Sequence, residues 1–338
     1  MATYKGIQGY TVQSLASDPS ATASTEGQVW YNTTSNTLKV VLAGGAPVGT
    51  WASANTMINS YSQRAGAGTQ TSALAAGGQA SPPISPRTRG ETELYDGTSW
   101  TESGDLNEDR RYISGAGATS SAALTIGGYA GTGPPWYLDT VESFNGTSWT
   151  AVGSLNTGRA TYSQSVGTQA AAITMGGNNP SNIALAEIWD GSSWTEVASL
   201  NNARSQGAGA GITTDAILFG GADVGAGEAQ TEVYNGTSWA DVSALNTGRQ
   251  DLAGSGSSTP NALAIAGYTT GNVANTESWN GTSWTEVADL GTAKREPSAG
   301  VYSANTASIA FAGLGPDYIN TTEEWNAADY VIKTVTTS

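Results

Sequence analysis

The chain contains no cysteine and no histidine. Without cysteine, disulfides and thiolate chemistry are out of reach. Without histidine, the commonest general base is missing. Together these absences exclude Ser-His-Asp and Cys-His nucleophilic sites and His/Cys zinc sites. Basic residues are scarce as well: 13 Lys and Arg stand against 28 Asp and Glu, for a net charge of −15. Contacts to nucleic-acid phosphates rest on Lys and Arg, and no basic run is present, so no nucleic-acid partner is expected. Only 12% of the residues are charged, which is incompatible with a charged helical protein. No apolar run approaches the ~18 residues of a membrane span. The N-terminal Met-Ala-Thr-Tyr-Lys-Gly-Ile lacks the apolar stretch of a signal peptide. No EF-hand loop, P-loop or dinucleotide fingerprint occurs. Accordingly no cofactor, metal or catalytic residue is assigned. A glycosidase needs only two carboxylates, but Asp105 and Glu108-Asp109 read more simply as solvated loop charges.

What remains is Gly (44 residues), Ser, Thr, Ala and Asn, with 11 Trp and 14 Tyr. This composition suits short strands and tight turns, and one phrase recurs through it. Asp96-Gly-Thr-Ser-Trp100, Asn145-Gly-Thr-Ser-Trp149, Asp190-Gly-Ser-Ser-Trp194, Asn235-Gly-Thr-Ser-Trp239 and Asn280-Gly-Thr-Ser-Trp284 place Trp at intervals of 49, 45, 45 and 45 residues. Glu93, Glu142, Glu187, Glu232, Glu277 and Glu323 keep phase with it. So do Gly77-Gly78, Gly127-Gly128, Gly176-Gly177, Gly220-Gly221, Ala266-Gly267 and Ala312-Gly313. Arg110, Arg159, Arg204, Arg249 and Arg295 precede five of these pairs by 16 or 17 residues. Ser60 falls in that place in the first unit, and Arg64 is out of phase.

A period of 45 to 49 residues matches a propeller blade and is too long for leucine-rich or ankyrin repeats. Each unit reads as four strands. In the second they are expected near Tyr112–Thr119, Ala122–Gly128, Thr140–Phe144 and Trp149–Val152. The Asn-Gly or Asp-Gly step predicts a type I′ hairpin turn with φ > 0 at both central residues. The Gly pair permits close backbone approach near a crowded axis. The expected fold is therefore all-β: a propeller of six blades of four antiparallel strands, with seven blades as the alternative if residues 28–56 build a partial one. A residue copied once per blade is read as structural, with Trp packing between blades and Glu pairing with Arg or bonding loop backbone.

A second strand ending in Gly-Gly, then Glu-x-Tyr/Trp-Asn/Asp-Gly, then Trp, then Arg, resembles the kelch repeat over roughly Asn59–Ser338. Its short Gly-Thr-Ser turn and Ala/Gly-rich first strands depart from ordinary kelch. They are similar to virion structural proteins of tailed bacteriophages of marine bacteria. Tyr4-Lys-Gly-Ile-Gln-Gly-Tyr-Thr-Val-Gln13 and Glu26-Gly-Gln-Val-Trp-Tyr-Asn-Thr-Thr-Ser-Asn-Thr-Leu-Lys39 resemble the leader and hairpin of such proteins. The resemblance implies a component of the virion, made in the host cytoplasm.

Three segments are expected: an extended arm or linker over 1–26, a β-hairpin with a ring-closing strand over 27–56, and the propeller over 57–338. Trp51 sits in the phase of the strand-four Trp, and Tyr330–Val335 competes for the same slot. The arm carries Tyr4, Ile7, Tyr10, Val12 and Leu15. Spaced apolar side chains of this kind suit addition to a neighbour's sheet edge or groove, so the arm is expected to hold other virion proteins of capsid or tail. A homo-oligomer on the particle fits the same picture. The loops after the second strands differ most from one another. Those loops present Arg87 and Arg89 in the first unit and Trp136 and Tyr137 in the second, framed by Pro, and these residue types favour interface anchoring. The functional expectation is a non-enzymatic structural and binding protein: a head decoration or a tail fibre or knob touching the host surface. A carbohydrate-binding adhesin is the alternative, and a glycoside-active enzyme the more distant one. No membrane insertion is expected.

Overall fold

The computed structural model describes residues 12–19, 27–82, 87–131, 133–162, 164–223 and 227–335, the side chains of 42–48 and 328–334 excepted. It is an all-β structure. Among the described residues the one helical element is a single 3-10 turn, Thr259–Asn261. The chain divides into two units, 1–48 with 328–338 and 49–327.

The first unit holds the expected hairpin. Val29–Asn32 pairs antiparallel with the start of Thr37–Ala54, Val29 opposite Val40 and Asn32 opposite Thr37. Within the expected arm, Gln13–Leu15 forms a parallel strand on Val29–Asn32. Asp18 explains why it stays: one carboxylate oxygen accepts from Trp30 Nε1 at 3.1 Å and from Asn32 Nδ2 at 2.5 Å. These bonds hold the Asp18 carboxyl below its ordinary value.

Among its described residues the second unit contains six sheets of four or more strands, counting the one it shares with the first unit, and a two-stranded one, Arg110–Arg111 with Tyr129–Ala130. The model repeat is realised as Ser114–Thr119, Ala122–Ile126, Val141–Phe144 and Trp149–Ala151, all antiparallel and in sequence order. Three more four-stranded sheets repeat it, beginning at Ser165–Gly167, Ala208–Ile212 and Ala253–Ser255. The first sheet runs Ala65–Thr69, Ser72–Ala80, Thr88–Tyr95 and Trp100–Ser103, and adds Tyr61–Ser62 beside its second strand. The last has Ser298–Ala299, Ala307–Phe311 and the start of Thr322–Thr334, flanked by Thr37–Ala54. The residues of Thr37–Ala54 within this unit take the fourth place. Trp51 meets Trp325 with ring centroids 5.6 Å apart. The N-terminal strand therefore fills the slot for which two segments competed, and residues 328–334 simply continue the third strand.

Each first strand lies against the first strand of the next sheet, and Ser298–Ala299 lies against Ala65–Thr69. Glycine makes this possible. A Cβ at Gly115 would strike the Gly66 carbonyl oxygen, and one at Gly254 the Gly209 carbonyl oxygen. The apolar core sits between neighbouring sheets. One cluster joins Leu74, Leu106 and Ile113 to Phe144 and Trp149, and another joins Ile217, Phe219 and Leu252 to Trp279 and Trp284.

The repeated turn is not the two-residue type I′ turn expected. Tyr234 pairs with Trp239, so the loop has four residues. Gly236 takes φ +88°, whereas Asn235 is not left-handed. Instead, Asn235 Oδ1 accepts from the Thr237 and Ser238 N–H groups at 2.9 Å, an Asx turn that closes the loop without a second positive φ. The Gly pairs make close backbone contacts. The N–H of Gly128 donates to the Arg159 carbonyl at 2.8 Å, and those of Gly177 and Gly221 donate to Arg204 and Arg249 at 3.0 Å. The close approach is thus between neighbouring sheets.

Candidate functional site

The residues repeated once per sheet are consumed by the scaffold. Arg110–Glu142, Arg159–Glu187, Arg204–Glu232 and Arg249–Glu277 are buried ion pairs at 2.5–2.9 Å. The remaining two correct the phase reading. Arg64, counted out of phase, pairs with Glu93 at 2.7 Å, and Lys294 rather than Arg295 pairs with Glu323 at 3.4 Å. Burial pulls Arg110, Arg159, Arg204 and Lys294 below their ordinary values, against the pull of the facing glutamate. The second carboxylate oxygen of each Glu accepts a backbone N–H from the loop entering its sheet: Ile58, Asn107, Asn156, Asn201, Asn246 and Gly291, at 2.6–2.9 Å. The repeated Trp spans adjacent sheets. Trp149 Nε1 donates to Thr92 Oγ1 at 2.9 Å, Trp284 to Thr231 at 3.1 Å, Trp51 to Thr276 at 3.1 Å and Trp100 to Thr322 at 2.9 Å.

The expected loop residues are partly drawn together. Trp136 is 45% exposed and stacks on Tyr129 at 5.7 Å, with 20° between the rings. Tyr137 meets the same Tyr129 edge-on at 5.5 Å. Arg111 lies over Tyr129 and Tyr112, 5.3 and 5.1 Å from their ring centres, and donates to Gln79 Oε1. Gln79 Nε2 in turn donates to Tyr318 Oη, which also accepts from Arg87 at 2.7 Å. Arg87 and Trp136 therefore belong to one network on the loop face. Arg89 is half-buried and donates to its neighbour's carbonyl, Thr88 O, at 2.7 Å. Of the proposed arm anchors, Val12 is exposed and Leu15 is half-buried. Tyr4, Ile7 and Tyr10 lie outside the described residues.

Sequence reasoning missed a second constellation. One residue per sheet, just ahead of the first strand, has a left-handed backbone: Gln63, Tyr112, Tyr162, Gln206, Asp251 and Glu296, with φ between 52° and 59°. None is glycine, and such strain in non-glycine residues persists only where the surroundings enforce it. Here the enforcement is partly backbone: Glu296 N–H donates to Asp251 O and Asp251 N–H to Gln206 O, each at 2.8 Å, and Tyr162 N–H to Tyr112 O at 3.1 Å. All six line one cavity of about 20 Å³, room for one water-sized group. Tyr112 and Tyr162 pack at 4.9 Å, and Tyr112 meets Tyr129 at 6.4 Å, so the rings run on to Trp136. A signal did exist in the sequence. In four sheets the residue stands two places after the paired cation, at Tyr112, Gln206, Asp251 and Glu296, and its identity changes while the frame repeats.

Asp251 is the most perturbed member. Burial, then the negative charge of Glu296, pushes its carboxyl up to about 7, against the opposing pull of Gln206, Arg295 and Gln250. The folded chain keeps this proton to about pH 7, and the unfolded chain releases it near 3.8. Between those values the folded state binds more protons, so this group's contribution to stability falls as pH rises. Asp251→Asn should raise stability at pH 8 by up to roughly 4 kcal/mol, the size of a rise from 3.8 to about 7 at about 1.36 kcal/mol per pH unit. It should also flatten the decline between pH 4 and 7 in urea titrations. An unchanged slope would show that Asp251 titrates normally. Compared with known proteins, the chain matches no family model and no curated protein.

Proposed function

We propose that the second unit closes as a kelch-like propeller of six four-stranded blades and serves as a non-catalytic structural and binding component of a phage particle. The observation that carries the closure is the Trp-to-Thr hydrogen bond across sheets. Sheet two reaches sheet one, sheet five reaches sheet four, sheet six reaches sheet five through Trp51, and sheet one reaches sheet six through Trp100. A bond from the first sheet to the last supports a closed row, in which only short, protected sheet edges would remain. A scaffolding role is supported by the fate of the repeated carboxylates, each held by a cation and a backbone N–H. Attachment would run through the N-terminal arm, and binding through the loops that carry Trp136, Tyr137 and Arg87.

The arm is tested by deleting residues 2–11, stopping short of the strand Gln13–Leu15 that rests on the hairpin. Purified particles should then contain strongly reduced amounts of the protein by quantitative mass spectrometry, with its melting temperature unchanged. Normal incorporation would move the anchor to the hairpin or a propeller face. Absence of the intact protein from particles would sink the virion reading. A glycan-binding role is the second reading, favoured by the exposed Trp136 stacked on Tyr129, a geometry suited to a sugar ring.

A further inference from the structure

Six buried glutamates in this protein each face their own Arg or Lys. Asp251 is buried to a comparable degree, at 7% exposure, yet neither it nor Glu296 forms an ion pair among the described residues. Buried carboxylates are normally matched by a positive charge. The cations nearby are committed elsewhere. Arg64 lines the same cavity but is held by Glu93 at 2.7 Å, and Arg295 lies over the Tyr268 ring at 5.0 Å. The cavity also holds an orphan acceptor. Gln63 Nε2 donates to Glu296 Oε1 at 2.9 Å, which fixes the orientation of the amide, and Gln63 Oε1 is buried with no hydrogen-bond partner among the described residues.

We propose that this cavity binds a protonated primary amine carried on a flexible alkyl stem, that is, a lysine side chain of a partner protein. An ammonium has three N–H donors and no acceptor. The cavity offers three acceptors and no paired cation: the Asp251 carboxylate, which accepts from Gln206 Nε2 at 2.8 Å, the Glu296 carboxylate, which accepts from Ser62 Oγ at 2.8 Å and Gln63 Nε2 at 2.9 Å, and Gln63 Oε1, left without a donor among the described residues. Its size admits a single water-sized head group, which an ammonium at the tip of a flexible stem can supply and an amine fixed to a ring cannot. Tyr112 and Tyr162 line the cavity and place aromatic rings beside such a cation and its stem. Net charge favours the same ligand, since a chain at −15 attracts cations from a distance. This site stands on the geometry of the ring of six residues and not on where the protein is mounted, so its failure and that of the virion reading are separate results.

The test is calorimetric titration of the full chain at pH 8 and low salt. Nα-acetyl-L-lysine methylamide should give saturable binding. Nα-acetyl-L-norleucine methylamide, which lacks the ammonium, should give none. Asp251→Asn should abolish lysine binding and Glu296→Gln should weaken it, with circular dichroism unchanged and the melting temperature of Asp251→Asn no lower than that of the native protein. Glucosamine provides the ring-borne amine. Binding of glucosamine in preference to the lysine probe would overturn the assignment, as would equal binding of norleucine or retained lysine affinity in a folded Asp251→Asn variant.

Discussion

Replacing Arg249 by Met should lower the stability of the second unit by about 3–5 kcal/mol, the cost of leaving a buried carboxylate without its cation. Arg249 is fully buried and makes its contacts with a complete set of partners. Nε donates to Ala266 O at 2.9 Å, Nη2 to Ala264 O at 3.1 Å, and Nη1 to Thr247 O at 3.0 Å and to Glu277 Oε1 at 2.5 Å. Glu277 uses its other oxygen for Asn246, from N at 2.7 Å and Nδ2 at 2.8 Å. The pair thus ties three segments: the loop entering the sheet, the second strand and the third. Glu277→Leu should cost a similar amount, because it strands both the guanidinium and the Asn246 N–H. The double variant should cost about as much as either single one and not the sum, since an apolar pair leaves no buried charge behind. Urea denaturation of all four proteins gives the coupling. Strict additivity would mean that the two side chains do not stabilise one another, and the role assigned to the repeated Arg and Glu would fall.

Much of this frame was legible because it repeats. The Trp and Glu marks recur every 45 to 49 residues with the Gly pairs in phase, and the four strands of the second repeat begin within two residues of where the pattern put them. Counting residues failed wherever the loop between two marks changed length. Glu93 recruits Arg64 from a position 13 residues before Gly77, and Glu323 takes Lys294 one place ahead of the arginine that keeps the count. The side-chain slot is defined in space, and any cation whose stem reaches it can fill it. The Asn-Gly turn was misread for a related reason. The dipeptide fits a two-residue loop, but the Asx bonds of Asn235 stabilise a four-residue one, and only Gly236 then needs a positive φ.

The ring around the cavity was harder to see. Gln63, Tyr112, Tyr162, Gln206, Asp251 and Glu296 share a backbone conformation but no side-chain chemistry, so no motif marks them. The sequence signal is strongest in the longest and most irregular loops, where Trp136 and Arg87 lie. The structure joins those loops to the ring through Tyr129, Arg111 and Gln79, none of which was distinguishable in sequence from ordinary strand and loop residues. Variation confined to one position of a constant frame is the trace that such a site leaves.

Trp51→Ala should produce the second large loss, about 2–4 kcal/mol, somewhat below the range for a fully buried Trp because Trp51 remains half-exposed. Its ring packs on Trp325, which is fully buried, and its Nε1 donates to Thr276 Oγ1 at 3.1 Å in the sheet before. These are the contacts that Trp149 makes through Thr92, so the residue behaves as the fourth-strand Trp of the last sheet although it lies more than 250 residues earlier in the chain. A strand contributed from the N-terminal side links the last sheet to the first by covalent connection as well as by hydrogen bonding. Local opening of the last sheet must then detach residues 49–54 from a core of Trp325, Leu290 and Ile265. Native-state hydrogen exchange should accordingly show the amides of 50–54 exchanging with the same free energy as the second strand, Ala307–Phe311, and not as a fraying terminus. Thr276→Val, which removes only the acceptor, should cost about 1 kcal/mol, the net value of one hydrogen bond. If Trp51→Ala leaves the melting temperature unchanged and residues 50–54 exchange freely, the N-terminal strand does not close the ring.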